Sequence, residues 1–240
     1  MAFEANAINA IKTKISPNID GIVIDDPAWK KIDATTGFIQ QSPDEGKPAT
    51  EKTEVKIMFS DENLYVAAIC YHNDPEKIII SDARRDSPLD DMDSFIFILD
   101  TFRDYQNGYA FGTNAAGIEY DAQITKGGEG GSTSRRFSMG TGGSYNINWD
   151  AAWNVKSFIG DFGWSAEFEI PLKTLRYNSK KDQTWGINFQ RVISSNQEKA
   201  HWSQITRQFT INRLVSAGQL VGIEIPSSRS YKIIPYVLGQ

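Results

Sequence analysis

The residues best suited to chemistry in this sequence are four aromatic side chains. Tyr145, Trp149 and Trp153 follow a Gly- and Ser-rich stretch, residues 126–144, and Trp202 lies near the start of a predicted strand. Sugars present flat C–H faces that stack on aromatic rings, and planar polar side chains complete such sites with hydrogen bonds. The pattern predicts a carbohydrate platform. The alternative is that most of these rings belong to the core, where large aromatic side chains are usually buried.

A second candidate is a group of four aspartates in one short stretch, Asp86, Asp90, Asp91 and Asp93. Several carboxylates in one turn suit Ca²⁺, which takes about six to eight oxygen ligands. Their spacing differs from the usual helix–loop–helix calcium motif, and the alternative is a solvated loop neutralised by the neighbouring arginines. Calcium held by these four aspartates is therefore one hypothesis, and no other cofactor is predicted.

Catalytic arrangements are poorly supported. One cysteine and two histidines exclude a Cys-based zinc site and leave little for a His-based network. Glu167 and Glu169 are spaced to share one face of a strand, which suits paired-carboxylate hydrolysis but equally suits an exposed charged face. The sequence has no Gly-x-Ser-x-Gly elbow, and its glycine-rich stretch lacks the Lys-Ser/Thr of a phosphate-binding loop. We predict no catalytic residue.

Short segments separated by turn residues must position these side chains. Residues 54–60 alternate apolar and polar, and residues 64–71 form a nearly continuous apolar run. About a dozen such segments, with no long amphipathic helix, predict an all-β fold: a two-sheet antiparallel β-sandwich, jelly-roll-like, with short helical turns. One such turn is expected at residues 25–29, where Trp29 would fill the core, and residues 40–52 are predicted to form a loop.

The composition excludes several classes of protein. The 240 residues are 40% hydrophobic and 23% charged, which is typical of a globular chain with a sizeable core. The net charge of −5, from 25 Lys+Arg and 30 Asp+Glu, gives no basic excess, so nucleic acid is not a predicted partner. No apolar run approaches the ~18–20 residues of a membrane helix, and no signal peptide is visible.

Six stretches, taken together and in order, form a recognisable set. They are Asp20-Gly21 with Asp25-Asp26-Pro27-Ala28-Trp29, Asp61-Glu62-Asn63-Leu64-Tyr65-Val66-Ala67, Asp93-Ser94-Phe95-Ile96-Phe97-Ile98-Leu99-Asp100, Gly108-Tyr109 with Phe111 and Asn114, Gly163-Trp164 with Glu167 and Ile170-Pro171, and Trp185-Gly186-Ile187-Asn188-Phe189. This set resembles the family 9 carbohydrate-binding module over roughly residues 10–225. The resemblance implies a β-sandwich of the kind often attached to polysaccharide-degrading enzymes.

The resemblance also assigns residues to a sugar site, and one of them matches. Members of the family clamp the sugar between two tryptophans and use a Glu, an Arg and an Asn. At the matching positions this chain has Leu89-Asp90 for the first tryptophan, Ile96 for the Glu and Gly112 for the Arg, and Phe209-Thr210-Ile211 lacks the second tryptophan. Asn114 is the counterpart of the Asn and joins the carbohydrate-binding candidates. Some members also hold structural calcium, which favours the aspartate hypothesis.

A closer likeness is to exported bacterial proteins, common in Bacteroidetes, that carry this module ahead of an outer-membrane β-barrel region. Leu175-Arg176-Tyr177, Arg191 and Ile233-Ile234-Pro235-Tyr236-Val237 carry that likeness. It implies that residues 1–225 form the sandwich and residues 226–240 a linker and the start of a barrel. It also implies a periplasmic or outer-membrane location, a signal peptide outside this sequence, and membrane contact only through the barrel.

Two functions remain open at this point. The first is a non-catalytic module of an exported protein that binds an oligo- or polysaccharide, with any glycoside hydrolysis carried out by the family's usual neighbours. The alternative is a structural or interaction domain that has kept the sandwich, lost the sugar site, and caps or anchors a membrane barrel. An exposed aromatic platform would favour the first function, and an exposed strand edge at Tyr231–Gln240 would favour the second.

Overall fold

A computed structural model describes residues 6–128 and 144–225. Two segments that the sequence singles out lie outside the described residues: most of the glycine-rich stretch, residues 129–143, and the C-terminal residues 226–240. The expectations of a linker, a barrel start and a strand edge at the C-terminus therefore stay predictions.

The described residues are almost entirely β-structure with short 3₁₀ turns. The strands are β1 (Ala7–Asn9), β2 (Ile11–Lys12), β3 (Ile39–Ser42), β4 (Thr53–Phe59), β5 (Asn63–Tyr71), β6 (Ser94–Asp100), β7 (Gly108–Asn114), β8 (Tyr120–Ile124), β9 (Tyr145–Asn146), β10 (Asn154–Gly160), β11 (Gly163–Pro171), β12 (Asp182–Ile193), β13 (Glu198–His201) and β14 (Gly218–Glu224). The 3₁₀ turns are Pro75–Lys77, Lys126–Gly128, Leu172–Thr174, Ser194–Asn196 and Leu214–Ser216. No helix in this part of the chain is long and apolar enough to cross a membrane.

These strands form two sheets, which confirms the predicted all-β sandwich. The larger sheet has nine strands, in the order β1-β14-β12-β6-β7-β8-β9, with β13 paired to β12 and β3 paired to β13. The smaller sheet has five strands, in the order β10-β11-β5-β4-β2. The ladders are antiparallel except for two short parallel pairs, β1 with β14 and β2 with β4. The N-terminal segment therefore contributes one short strand to each sheet.

The core lies between the sheets because alternate side chains of the central strands point toward each other. Phe97 of β6 meets Phe168 of β11 edge-on, with ring centroids 5.2 Å apart, and Phe95 stacks on Phe189 of β12 at 5.9 Å. Each such pair contributes about 0.5–1.5 kcal/mol beyond the burial of its area. This packing fixes the two faces of β6: Phe95 and Phe97 point inward, so Ile96 points outward.

The outer face of the larger sheet is covered as well. Ile96 and Ile98 belong to a second apolar cluster, which includes Leu89 from the segment before β6 and Ile211 and Leu214 from the segment after β13. These two segments therefore fold back over β6 and β7. The cover closes a sheet face that an antiparallel sandwich can leave open to solvent.

The N-terminal loop is anchored through Trp29, which is fully buried as predicted, although residues 25–29 form turns rather than a helix. Its indole Nε1 donates to Glu167 Oε1 at 2.7 Å, while the backbone N–H groups of Gly21 and Asp20 donate to Oε2 at 2.8 and 3.1 Å. Burial raises the pKa of Glu167, and these three donors oppose that shift. Glu167 is therefore buried and stabilises the fold. Glu167 and Glu169 do not form the exposed pair of carboxylates that their spacing suggested.

One strand lies where the sequence predicts a loop. Ile39–Ser42 forms β3, at the start of the polar stretch 40–52, and pairs with β13. Gln41 is buried there, and its Nε2 donates to the backbone carbonyls of Thr206 and Phe209 at 3.0 and 2.8 Å. This strand is held by side-chain amides that bind the backbone. It therefore lacks the alternation of apolar and polar residues by which a strand is recognised in a sequence.

Candidate functional site

The positions that match the family's sugar site do meet in space, on the outer face of β6 and β7. Ile96 and Gly112 are register partners, and Leu89 packs over them from the preceding loop. A Cβ on Gly112 would lie 2.7 Å from Leu89 Cδ1 and 3.2 Å from Ile96 Cβ. All three residues are buried. Aliphatic groups thus fill the place where the resemblance puts a carboxylate and a guanidinium.

Asn114, the one matching residue, is fully buried at the end of β7. Its Nδ2 donates to the backbone carbonyl of Asp82 at 2.8 Å and contacts Met92 Sδ at 2.9 Å. Its Oδ1 accepts from the backbone N–H of Ala116 at 2.9 Å. These contacts tie the loop before β6 to the turn after β7, so the polar atoms of Asn114 are engaged inside the protein rather than presented to a ligand.

Two of the predicted platform rings lie in the core. Trp153 is 8% exposed and stacks on Phe168, with centroids 5.9 Å apart and planes 5° apart. Trp202 is 4% exposed and packs against Phe189 at 5.3 Å. The expectation of exposed rings is wrong for both, because each indole fills space between the sheets.

The other two predicted rings, Trp149 and Tyr145, are partly exposed. Trp149 packs against Tyr109 and Phe111 of β7, with ring centroids 5.0 and 6.0 Å away. Tyr145 donates its hydroxyl to Tyr120 Oη at 2.9 Å. Burial raises the pKa of Tyr145 well above its usual range and that of Tyr120 to about 12, so both phenols stay neutral at pH 7. Of these two rings, Trp149 is held by its contacts with Tyr109 and Phe111 while part of its side chain remains accessible to solvent.

Arg85 pairs with Asp150, the residue that follows Trp149 in the sequence. Its Nη2 is 2.6 Å from Asp150 Oδ1 and 2.7 Å from Asp121 Oδ1, and its Nη1 pairs with Glu119. Burial disfavours the charge of Arg85, but the surrounding carboxylates outweigh that effect and raise its pKa. The Arg85 and Asp150 side chains are 40% and 80% exposed, so both remain open to solvent. We call Arg85, Glu119, Trp149 and Asp150 the Arg85 site.

Asp121 is a buried carboxylate that fixes two parts of the Arg85 site. Its carboxylate is fully buried and accepts hydrogen bonds from Trp153 Nε1 at 3.2 Å and from the backbone N–H of Ala151 at 2.9 Å, besides pairing with Arg85. Burial raises the pKa of Asp121, and these donors and the guanidinium oppose the rise. One buried carboxylate therefore fixes both the arginine and the chain that follows Trp149.

The four aspartates predicted to bind calcium are not brought together. Asp86 lies 3.5 Å from Arg85 Nε, Asp90 pairs with Lys199 at 2.6 Å, and buried Asp93 accepts from the backbone N–H of Ile79 at 2.9 Å. Asp91 is exposed. Within residues 6–128 and 144–225, no group of three or more His, Cys, Asp or Glu side chains is arranged to hold a metal ion. This quartet does not fit one shared Ca²⁺, and calcium binding stays a prediction.

Among residues 6–128 and 144–225, the most exposed aromatic side chains are ones that the sequence patterns do not single out. Phe102 and Tyr105, on the loop between β6 and β7, are 44% and 41% exposed, and Phe158 on β10 is also exposed. The sequence offers one signal for the exposure of Phe102 and Tyr105. Both are large rings in the polar turn that begins at Asp100, outside any segment of alternating apolar and polar residues. A surface turn cannot bury such rings as a strand can, and exposed rings on loops often serve binding.

The fold has relatives among solved structures. A protein from Bacteroides uniformis ATCC 8492, provisionally described as carbohydrate-binding, is 12% identical with a TM-score of 0.65, over 90% of this chain and 99% of that one. A family 9 carbohydrate-binding module from Caldicellulosiruptor kristjanssonii is similar in complex with glucose (18% identity, TM-score 0.56) and with cellotriose (16%, 0.57). Each of these two matches covers 96% of this chain and 100% of the other. These likenesses confirm the family-9-like sandwich fold. No protein-family model matches the sequence, and neither does any curated protein.

Proposed function

We propose that this chain, which has the sandwich fold of family 9 modules, is a non-catalytic carbohydrate-binding module that holds its ligand at the Arg85 site. The observation that carries the proposal is a partly exposed indole, Trp149, followed in the sequence by Asp150, whose exposed carboxylate pairs with the guanidinium of Arg85. A ring face of this kind takes the apolar C–H face of a pyranose, while the flanking charged groups bind its hydroxyls.

Each group at the site has a distinct task. Trp149 provides the stacking surface, and its contact with Tyr109 limits its movement. Asp150 accepts a hydrogen bond from a sugar hydroxyl, and Arg85, which has five N–H donors, can donate to another while staying paired with Asp121. Groups that are held before the ligand arrives lose little conformational entropy on binding, which strengthens affinity.

Two further observations support the proposal of a saccharide ligand outside the position that the resemblance implies. The structural neighbours include a module that was solved with glucose and with cellotriose, and these sugars are the first probes to use. The apolar cluster at Leu89 and Ile96 leaves no polar partner at the position implied by the resemblance, which favours another surface for the sugar.

Isothermal titration calorimetry with glucose, cellotriose and a broad oligosaccharide panel tests the proposal. We expect wild type to bind at least one saccharide and Trp149→Ala to weaken that binding at least ~5-fold, because burying one ring contributes about 1–3 kcal/mol. Phe158→Ala is the matched control: it removes an exposed ring from the smaller sheet and should leave affinity unchanged. No binding across the panel would overturn the proposal.

Export belongs to the same proposal. The resemblance to exported bacterial proteins supports a periplasmic or outer-membrane location and an association with polysaccharide-degrading systems. Fractionation of native cells, followed by immunodetection of this chain, tests the location. Recovery in the cytosolic fraction would count against it.

A second candidate function is the structural or interaction domain, and the edge of the smaller sheet favours it. Among the described strands β10 pairs only with β11, and its Phe158 and Ile159 are exposed. An apolar strand edge is a template for pairing with another chain. Sedimentation at rising concentration, with Ile159→Lys as the comparison, tests pairing of two copies. Self-association that Ile159→Lys abolishes would favour this function, and a monomer at every concentration would exclude such pairing.

A further inference from the structure

The loop between β6 and β7 exposes two aromatic rings, Phe102 and Tyr105, that do not belong to any of the apolar clusters of the core. Phe102 and Tyr105 are the two most exposed aromatic side chains in the described part of the chain. They lie three positions apart in the stretch Asp100 to Asn107, among polar and charged residues. The exposed rings therefore occur together on one loop.

The backbone of this loop has an unusual conformation for the residues it carries. Arg103 and Tyr105 have φ values of +52° and +57°, in the left-handed region that glycine and asparagine adopt far more readily than tyrosine or arginine. A simple connection between two strands could use glycine or asparagine at position 105 without this strain. An observed backbone outlier that holds an exposed ring points to function.

The surrounding groups hold this conformation. Asp100 is fully buried, and its carboxylate accepts from the backbone N–H groups of Asp104 at 3.2 Å and Tyr105 at 2.8 Å. Asp104 Oδ1 in turn accepts from the backbone N–H of Gln106 at 2.7 Å. A Cβ on Gly127 would lie 2.8 Å from the Tyr105 carbonyl oxygen, so only glycine lets the next loop approach so closely. The two rings thus stand on a fixed backbone.

We propose that Phe102 and Tyr105 form a second sugar-binding surface, which contacts a further pyranose unit of an oligosaccharide. The inference rests on the proposed carbohydrate-binding function and extends it: the ligand is a chain of sugar units rather than a single sugar. Tyr109, the second residue of β7 after the loop, packs against Trp149 with ring centroids 5.0 Å apart, which places this end of the loop near the Arg85 site. The exposed side chains of Arg103, Gln106 and Asn107 provide hydrogen bonds to the hydroxyls.

The test compares glucose with cellotriose on wild type and on Phe102→Ala/Tyr105→Ala by calorimetry. We expect wild type to bind cellotriose more tightly than glucose, and the double variant to lose about 5–10-fold in affinity for cellotriose with no change for glucose. Unchanged affinity for cellotriose would overturn the second surface while leaving the Arg85 site standing. No saccharide binding by wild type would overturn the proposed function and this inference together.

Tyr105→Asn separates a binding role from a structural one. Asparagine accepts the left-handed conformation, so we expect the melting temperature to stay the same or rise by about 2 °C, with weaker binding of cellotriose. A ring that serves folding would give the reverse result, a lower melting temperature with unchanged affinity, and that result would overturn the inference.

Discussion

The side chain of Leu89 lies directly over Gly112, so close that a Cβ at position 112 would be 2.7 Å from Leu89 Cδ1. Ile96, the register partner of Gly112, closes the same space. The resemblance places a tryptophan, a glutamate and an arginine at these three positions. Here Leu89, Ile96 and Gly112 pack against one another, so an apolar cluster occupies the place of the polar pocket that the resemblance implies.

Gly112→Ala should therefore destabilise the protein through its contact with Leu89. Overpacking of this kind costs about 1–3 kcal/mol of the free energy of unfolding. Because Leu89→Ala removes the obstructing atom, the cost of Gly112→Ala should fall in that background. Urea unfolding of wild type, both single variants and the double variant measures the coupling. Strictly additive losses would show that Leu89 is not the obstacle.

Glu167→Gln should be much more costly than Glu169→Gln on the same strand. The buried carboxylate of Glu167 accepts from Trp29, Gly21 and Asp20, and an amide nitrogen would face at least one of these donors. We expect a loss of about 2–4 kcal/mol for Glu167→Gln. Glu169 is partly exposed and accepts from Asn63 at 3.1 Å, so its loss should be under about 1 kcal/mol. Chemical denaturation measures the free energy of unfolding of both variants. Equal losses would contradict the role of Glu167 as a structural anchor.

His201 should make the protein sensitive to acid below pH 6.5. It is fully buried, its Nε2 lies 3.1 Å from Gln190 Oε1, and burial, with the charge of Lys199, lowers its pKa from 6.5 to about 3. As the pH falls, the unfolded chain takes up a proton that the folded chain refuses, so stability is lost. Between pH 6.5 and 4.5 this loss is about 2–3 kcal/mol.

His201→Gln should remove that loss while keeping a polar side chain beside Gln190. Buried carboxylates such as Asp100 and Asp121 have raised pKa values and gain stability as the pH falls, so the informative quantity is the difference between the two proteins. Urea unfolding at pH 7 and pH 4.5 should show wild type losing about 2–3 kcal/mol more than His201→Gln. Parallel losses would contradict the buried neutral imidazole.

The two-sheet architecture could be predicted from the sequence because its signals are local. The apolar run at residues 64–71 became β5, a central strand of the smaller sheet, and the alternation at residues 54–60 became β4. The strand Ile39–Ser42 was not predicted because its buried Gln41 binds a backbone carbonyl. The periodicity of apolar residues in the sequence does not show such a contact. The order of motifs that resembles family 9 modules carried more information than any one of them.

The candidate site could be predicted only in part. Trp149 and Trp153 lie four positions apart on the segment between β9 and β10, yet one is partly exposed and the other stacks in the core. The path of this irregular segment decides their burial, and spacing in the sequence does not show that path. Arg85 was expected only to neutralise the nearby aspartates. Its partners Glu119, Asp121 and Asp150 are distant in sequence, so their meeting depends on the folded sheet.

Sugar binding at Trp149 is tested most directly by an NMR titration that follows the six indole N–H signals. Cellotriose added to ¹⁵N-labelled wild type should shift the Trp149 signal, assigned by its absence in Trp149→Phe. The signals of the buried indoles Trp29, Trp153 and Trp202 should move little. Saturable movement of the Trp149 signal would support sugar binding at the Arg85 site. A Trp149 signal that does not move with saturating cellotriose or any bound saccharide would contradict it.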